Sequence, residues 1–366
     1  MNEVSPTHKE FVWLLLAALG LAVQSAFAIE IPTLYTAEVT LDPEEPDPRA
    51  AAYERGLWEI VVRVTGSELS ADAPLLEELF PDAGRYVLQF RQGAEGTLTI
   101  SYDGEAIERV LRRAGETVWG SDRPLTLVWL AVDWGGGERE IIAADDPERV
   151  ADDSRSIDRD HLLRERVQET ASRRGIPIAF PLLDTEDLQN VSFTDIWGGF
   201  DEQLLQASQR YQASSILVGR VRAGAIQRNR WTYYFGGMQE EWSGRPENAV
   251  HLLADALAAE LAFSGNAPVE TVTLNVAGID SVRAYGNIQR YLENLSLIED
   301  FKVHTVSGDE IRYEVRLRGG MTRLRRALEI SDILMPMENF DEPLRLEPIP
   351  TVDALDFMYR APLQNF

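Results

Sequence analysis

Histidine is the side chain that proteins use most often for acid–base catalysis near neutral pH, and this chain contains four of them. One lies in the N-terminal segment, and His304 lies in a predicted strand. His161 and His251 lie on predicted helices, with Glu165 and Asp255 four residues further on, which is typical of ion pairing on a helix surface. Neither the G-x-S-x-G nor the H-E-x-x-H motif occurs. The sequence therefore predicts no catalytic residue, and a hydrolase with a dispersed active site remains the alternative interpretation.

The composition excludes several kinds of chemistry. The chain has no cysteine, so disulfides, thiolate nucleophiles, cysteine-bound zinc and iron–sulfur clusters are excluded. Lys9 and Lys302 are the only lysines among 35 basic residues, which leaves almost no group for Schiff-base or P-loop chemistry. The formal net charge of −25 is the opposite of what a general nucleic-acid binder carries. We therefore expect no cofactor, no metal site and no nucleic-acid partner.

Two loops contain residues that could bind a ligand. The run Gly135-Gly136-Gly137 follows a buried strand, where a phosphate-binding loop would lie, but the neighbouring carboxylates and the incomplete G-x-G-x-x-G motif favour a flexible connection. The acidic residues between positions 145 and 160 could in principle surround a calcium ion. They lack the EF-hand spacing and alternate with arginines, which favours a solvated loop.

Aromatic residues are concentrated around one predicted hairpin. Gly236 and Gly237 suit a two-residue type I′ turn between two strands rich in Trp and Tyr. Because an edge hairpin is expected to bury only one face, some of these side chains should be accessible or covered by another domain or a partner. The predicted partner-binding residues are Trp231, Tyr234 and Trp242.

The N-terminal segment predicts export. Residues 11–23 contain no charge and are followed by Ala26 and Ala28, the small residues that a signal peptidase requires. Thirteen residues rise about 20 Å as a helix, which is short of a bilayer core of ~30 Å. We expect a cleaved signal peptide (residues 1–28), a periplasmic mature protein and no integral membrane span after cleavage. An uncleaved anchor or a buried core helix is the alternative.

The mature chain predicts an α/β plus α+β architecture with three regions. Residues 29–118 and 266–335 each show the order β-α-β-β-α. Residues 119–265 contain continuous apolar runs separated by helical patterns, which indicate a central three-layer α/β domain with a mostly parallel sheet and an antiparallel edge. Residues 336–366 form a proline-rich tail without a steady period, which we expect to pack over the surface or to fray.

Several short motifs carry a family resemblance. They are LYTAEV at residues 34–39, LWEIVVRVTG at residues 57–66, WGSDRP at residues 119–124 and VAGI at residues 276–279. Together they resemble the domain of unknown function 2066 family, which comprises uncharacterised secreted proteins of Gram-negative bacteria. The resemblance implies an envelope location and no established activity. The chain is accordingly expected to be a non-enzymatic envelope binding or adaptor protein, with an envelope protein or a cell-wall component as its partner.

Overall fold

The computed structural model describes residues 34–67, 73–121, 123–144, 154–224, 228–331, 333–337 and 354–360. All of them belong to one compact unit that spans residues 31–362. The predicted signal peptide and the acidic residues 145–153 lie outside the described residues. Within the described ranges, no helix is long and apolar enough to cross a membrane.

The first sheet is built from the predicted strand and hairpin. Its strands are β1 (Thr36–Thr40), β2 (Val87–Gln92) and β3 (Thr97–Tyr102), and they pair antiparallel in the order β1-β3-β2. The helices of this region are α1 (Pro48–Thr65), α2 (Ala73–Leu79) and α3 (Gly104–Ala114), and the short strand β4 (Thr117–Val118) follows them. Asp47 caps the start of α1 by accepting from the N–H groups of Arg49 and Ala50, and Gly66 ends it at a φ of +70°. The predicted elements are thus confirmed, and α2 is an addition.

The central sheet is mixed, which differs from the expected mostly parallel sheet. Its strands are β5 (Thr126–Gly135), β6 (Glu138–Ile141), β7 (Ile178–Ala179), β8 (Ser215–Arg222), β9 (Arg230–Phe235) and β10 (Met238–Ser243). The order is β10-β9-β8-β5-β6, with β7 also paired to β5. Strands β7 and β8 run parallel to β5, and the other pairs are antiparallel. The glycine run forms the turn between β5 and β6, with φ of +90°, +65° and +97° at Gly135, Gly136 and Gly137, so it closes a hairpin that the sequence did not predict.

Hydrophobic cores lie on both faces of this sheet. The helices of the region are α4 (Ser154–Arg173), α5 (Thr185–Asn190), α6 (Phe193–Gly198), α7 (Asp201–Ser208) and α8 (Pro246–Leu261). Val128 and Leu130 of β5 share one core with residues of α4 and α8. Leu127 and Trp129, which point the other way along the same strand, share a second core with residues of α6 and α7.

The last sheet includes a strand from the expected tail. Its strands are β12 (Val269–Ala277), β13 (Ile298–Ser307), β14 (Glu310–Arg318), β15 (Leu334–Pro336) and β16 (Ala354–Tyr359), and its helices are α9 (Val282–Asn294) and α10 (Met321–Ile330). The order is β13-β14-β12-β16-β15, and β16 runs parallel to β12. Residues 354–359 therefore form a strand of this sheet and not a surface-packed or frayed tail, because Leu355 and Phe357 belong to its buried core.

Buried arginines connect the C-terminal ends of α1 and α4. Arg123 donates to the carbonyl oxygen of Arg63 at 2.5 Å and to that of Gly175 at 3.1 Å. Arg174 donates to the carbonyl oxygen of Gly66 at 2.8 Å. A further short strand, β11 (Phe263–Ser264), pairs with β4. The last carbonyls of a helix lack partners within that helix, so these arginines satisfy groups that would otherwise be buried unpaired.

Candidate functional site

An accessible cleft with apolar lining residues lies beside α1. It has a volume of about 670 Å³ and opens between the middle of α1 and the segment that runs from α2 to the following turn. Its apolar lining residues are Ala51, Leu57, Trp58, Leu76, Phe80, Pro81 and Ala83. A volume in this range suits one or two large side chains of a ligand.

Helical geometry explains why this cleft has a buried floor and an accessible wall. Leu57 points into the core and is 3% exposed, whereas Trp58 is turned by about 100° around α1 and is 48% exposed. Phe80 is 5% exposed and packs edge-on against Tyr86, with ring centroids 5.1 Å apart. The N–H of Phe80 donates to the carbonyl oxygen of Leu76 at 2.7 Å. The floor is therefore fixed by core packing, and Trp58 is available to a ligand.

The rim of the cleft is negatively charged. Glu45, Glu54 and Glu77 line it and are exposed. Arg55 is the one cationic group among the described lining residues, and its guanidinium donates to the carbonyl oxygen of Thr40 at 3.0 Å. An apolar floor inside an anionic rim is complementary to an apolar side chain that is flanked by lysine or arginine.

The hairpin residues predicted to bind a partner differ in exposure. Trp231 is 1% exposed, and its indole N–H donates to the carbonyl oxygen of Gly244 at 3.1 Å, so this residue packs in the core, while a partner role for the hairpin stays a prediction. Tyr234 and Trp242 are half-buried. The physical reason is that β9 lies between β8 and β10 and not at the sheet edge, with a core on each face. The tip of the hairpin is exposed but contacts α10, because Arg326 donates to the carbonyl oxygen of Gly236 at 3.2 Å.

The remaining candidate residues do not assemble a catalytic group. His251 contacts Arg174 through its Nδ1 at 3.0 Å, and Asp255 binds the same arginine at 2.6 Å. His161 and His304 are exposed and lie on separate elements, α4 and β13. Across the described parts of the chain, no group of three or more His, Cys, Asp or Glu side chains could hold a metal ion.

A carboxyl pair at the start of α4 has an altered protonation equilibrium. Burial, together with a hydrogen bond to Glu140 on β6, raises the pKa of the Asp160 carboxyl to about 7. The indole N–H of Trp134 donates to the same Glu140. Glycosidases hold their two carboxyl groups about 5 Å or more apart so that substrate fits between them. Asp160 hydrogen-bonds to Glu140, so the two carboxyl groups leave no gap for a substrate.

Comparison with known proteins gives one family match. Residues 28–120 match the model of a domain of unknown function, DUF8605. The resemblance to the domain of unknown function 2066 family is therefore wrong, because the matching family is a different one and its model ends at residue 120. No curated protein and no solved structure matches the chain. The matched residues contain the whole cleft beside α1.

Sequence reasoning missed the cleft, although one signal for it was present. The core stripe of α1 contains Tyr53, Leu57, Ile60, Val61 and Val64. Trp58 does not fall on that stripe. A tryptophan outside the core face of an amphipathic helix is a better indication of an accessible anchor than aromatic residues within strands, which have two faces to bury.

Proposed function

We propose that this chain is a non-enzymatic envelope binding or adaptor protein that holds a segment of another envelope protein in the cleft beside α1. The segment would place an apolar side chain against Trp58 and lysine or arginine side chains beside Glu54 and Glu77. The observation that carries this proposal is the half-exposed tryptophan inside an anionic rim. Tryptophan is enriched among the residues that dominate interface energies, and opposite charges at the rim orient the partner.

The scaffold of the proposed protein supports a binding role. Phe80 and Leu57 are buried, so the cleft is formed before a partner arrives and little ordering is required on binding. We infer that the central region forms three layers, with α4 and α8 on one face of the sheet and α6 and α7 on the other. The two separate cores on the faces of β5 support this arrangement.

Export is part of the proposal and has its own test. The mature chain is expected to begin at Ile29, because Ala26 and Ala28 provide the small residues before the cleavage point. N-terminal sequencing of the protein recovered from the periplasmic fraction measures this directly. A chain that keeps residues 11–23, or that stays in the cytoplasmic fraction, would contradict the proposed location.

Photocrosslinking in intact cells tests the binding site. Replacing Trp58 with p-benzoylphenylalanine is expected to give a discrete adduct, since the side chain would lie against the partner. The same replacement at Val282, which is 88% exposed on α9, is the matched control and should give none. Adding Glu54→Lys and Glu77→Lys to the first variant should abolish the adduct by reversing the rim charge.

The energetic expectation for this site separates binding from folding. Trp58→Ala is expected to weaken partner binding at least about thirtyfold, because interface anchors contribute about 2 kcal/mol or more. The melting temperature should change little, because half of the side chain is already in water. Adducts of equal yield at positions 58 and 282, or an adduct that survives both charge reversals, would show that the cleft is not the binding site.

A further inference from the structure

The carboxyl ends of two adjacent parallel strands open a second groove. Strands β5 and β8 pair in parallel from Thr126 with Ser215 to Asp133 with Arg222. After β5 the chain turns into β6, which lies on one side of this strand pair, and continues toward α4. After β8 it turns into the antiparallel β9, which lies on the other side of the pair. Ligands of α/β sheets bind in the crevice at such a point. A groove of about 440 Å³ lies there, between α4 and the start of α8.

This groove is cationic in a strongly anionic protein. Arg159, Arg166 and Arg245 line it from α4 and the start of α8, whereas Arg222, also a lining residue, places its guanidinium over the Trp197 ring of α6 on the other face of the sheet. Glu247 is the one carboxylate among the described lining residues. The chain as a whole has a formal net charge of −25. An arginine cluster on such a background is a local exception to the charge of the surface, and it would concentrate an anion that the rest of the protein repels.

The side chains of two of the four arginines have no polar partner within the part of the chain that the structure describes. Arg159 pairs with Glu138 at 3.1 Å, and Arg222 lies 3.9 Å from Asp133. The guanidinium groups of Arg166 and Arg245 make no ion pair or hydrogen bond with any residue that the structure describes. A planar guanidinium presents paired donors that match phosphate oxygens.

A buried amide provides an independent observation. Asn229 lines the groove and is 2% exposed. Its Oδ1 accepts from the N–H of Arg222 at 2.9 Å, whereas its amide nitrogen has no partner among the described residues. An amide donor at the wall of a groove that no described residue satisfies is available to a ligand or to water. The first turn of α8, whose N-cap Arg245 makes no side-chain capping bond, opens on the same groove and offers further N–H donors.

The apolar side of the groove indicates what the anion is attached to. Trp134, Leu162 and Leu163 line it, and Leu162 is 49% exposed. We propose that this groove binds an organic phosphate monoester, with the phosphate held by Arg166, Arg245 and the Asn229 amide, and the organic part against Trp134 and Leu162. This site is separate from the cleft beside α1 and does not depend on the function proposed for it.

Calorimetric titration of the full chain with phenyl phosphate tests the assignment, with benzoate and inorganic phosphate as comparison probes. Phenyl phosphate should bind at one site and more tightly than either comparison probe. Arg166→Ala and Arg245→Ala should each raise its Kd about tenfold or more, because a hydrogen bond to a charged group is lost. Arg325→Ala, an exposed arginine on α10, is the matched control and should bind as the unmodified protein does.

Asn229→Asp is the sharpest variant. It keeps the oxygen that accepts from Arg222 and replaces the free amide with a second carboxylate oxygen, so the fold should persist while phenyl phosphate binding is lost. The melting temperature checks that the variant folds. Absence of saturable binding, or binding that the three groove variants leave unchanged, would overturn the proposal. Equal binding of benzoate would overturn the assignment to phosphate.

Discussion

Replacing Arg123 with methionine is expected to lower the free energy of unfolding by about 4 kcal/mol. Besides the carbonyls of Arg63 and Gly175, this side chain donates to those of Gly120 and Trp119 at 3.0 and 2.8 Å. Methionine fills a similar volume but donates nothing, so several buried acceptors lose their partner at once. Each such loss costs about 1 kcal/mol or more.

The position of Arg123 explains why its effect should exceed that of an ordinary buried arginine. Two of the acceptors, the carbonyls of Arg63 and Gly175, lie at the C-terminal ends of α1 and α4, where the helix dipoles place partial negative charge. The guanidinium also stacks on Trp119, with its carbon 3.9 Å from the ring centroid. Burial lowers the pKa of Arg123 to about 9, so it remains protonated at neutral pH and keeps all its donors.

Chemical denaturation in urea measures the loss, and two variants calibrate it. Arg113→Ala removes an exposed arginine from α3 and should change the free energy of unfolding by about 0.5 kcal/mol or less. Arg123→Lys keeps the charge but loses the planar guanidinium with its paired donors. Its free energy of unfolding should therefore lie between those of the native protein and of Arg123→Met. One hydrogen bond contributes ~1 kcal/mol. If the free energy of unfolding of Arg123→Met differs from that of the native protein by no more than this amount, the proposed role of Arg123 in joining the two helices is refuted.

The sequence predicts correctly those elements whose signals lie within a short stretch of the chain. The turn at Gly236 and Gly237 has the positive φ values, +53° and +80°, that a type I′ hairpin requires. The sequence predicts the first strand, α1 and the hairpin that follows it, because each shows a regular hydrophobic period and has a cap or turn residue of its own. The boundaries near residues 118 and 265 stay predictions, since the described residues form one compact unit.

Nonlocal contacts account for what the sequence could not show. Nothing near Trp231 indicates that β8 and β10 flank its strand and that a core covers each face. Arg123 lies in the WGSDRP motif at residues 119–124, but its acceptors in α1 and just after α4 are about fifty to sixty residues away in the chain. Strand β16 does have alternating burial, with Leu355 and Phe357 inside and Asp356 and Met358 outside. This pattern is only six residues long and follows a proline-rich sequence, which does not indicate a strand. Its partner strand, β12, lies some eighty residues earlier in the chain.

Phe357→Ala is expected to destabilise the protein by about 3 to 5 kcal/mol, the range typical of removing a buried phenylalanine. Phe357 is 1% exposed, and it packs in the same core as Leu274 and Val276 of the neighbouring strand. Its strand lies between β12 and β15, so poorer packing there also weakens the pairing that holds β15 to the sheet.

The neighbouring residue provides the matched control for that substitution. Met358→Ala changes a side chain of similar length that points away from the core and is 42% exposed, so it should cost about 0.5 to 1 kcal/mol at most. Thermal and urea unfolding of both variants would show the difference directly. A segment that merely lay over the surface would give two equally small effects, whereas a strand inside the sheet requires that position 357 is sensitive and position 358 is not. The difference in destabilisation between Phe357→Ala and Met358→Ala therefore tests whether residues 354–359 complete the last sheet.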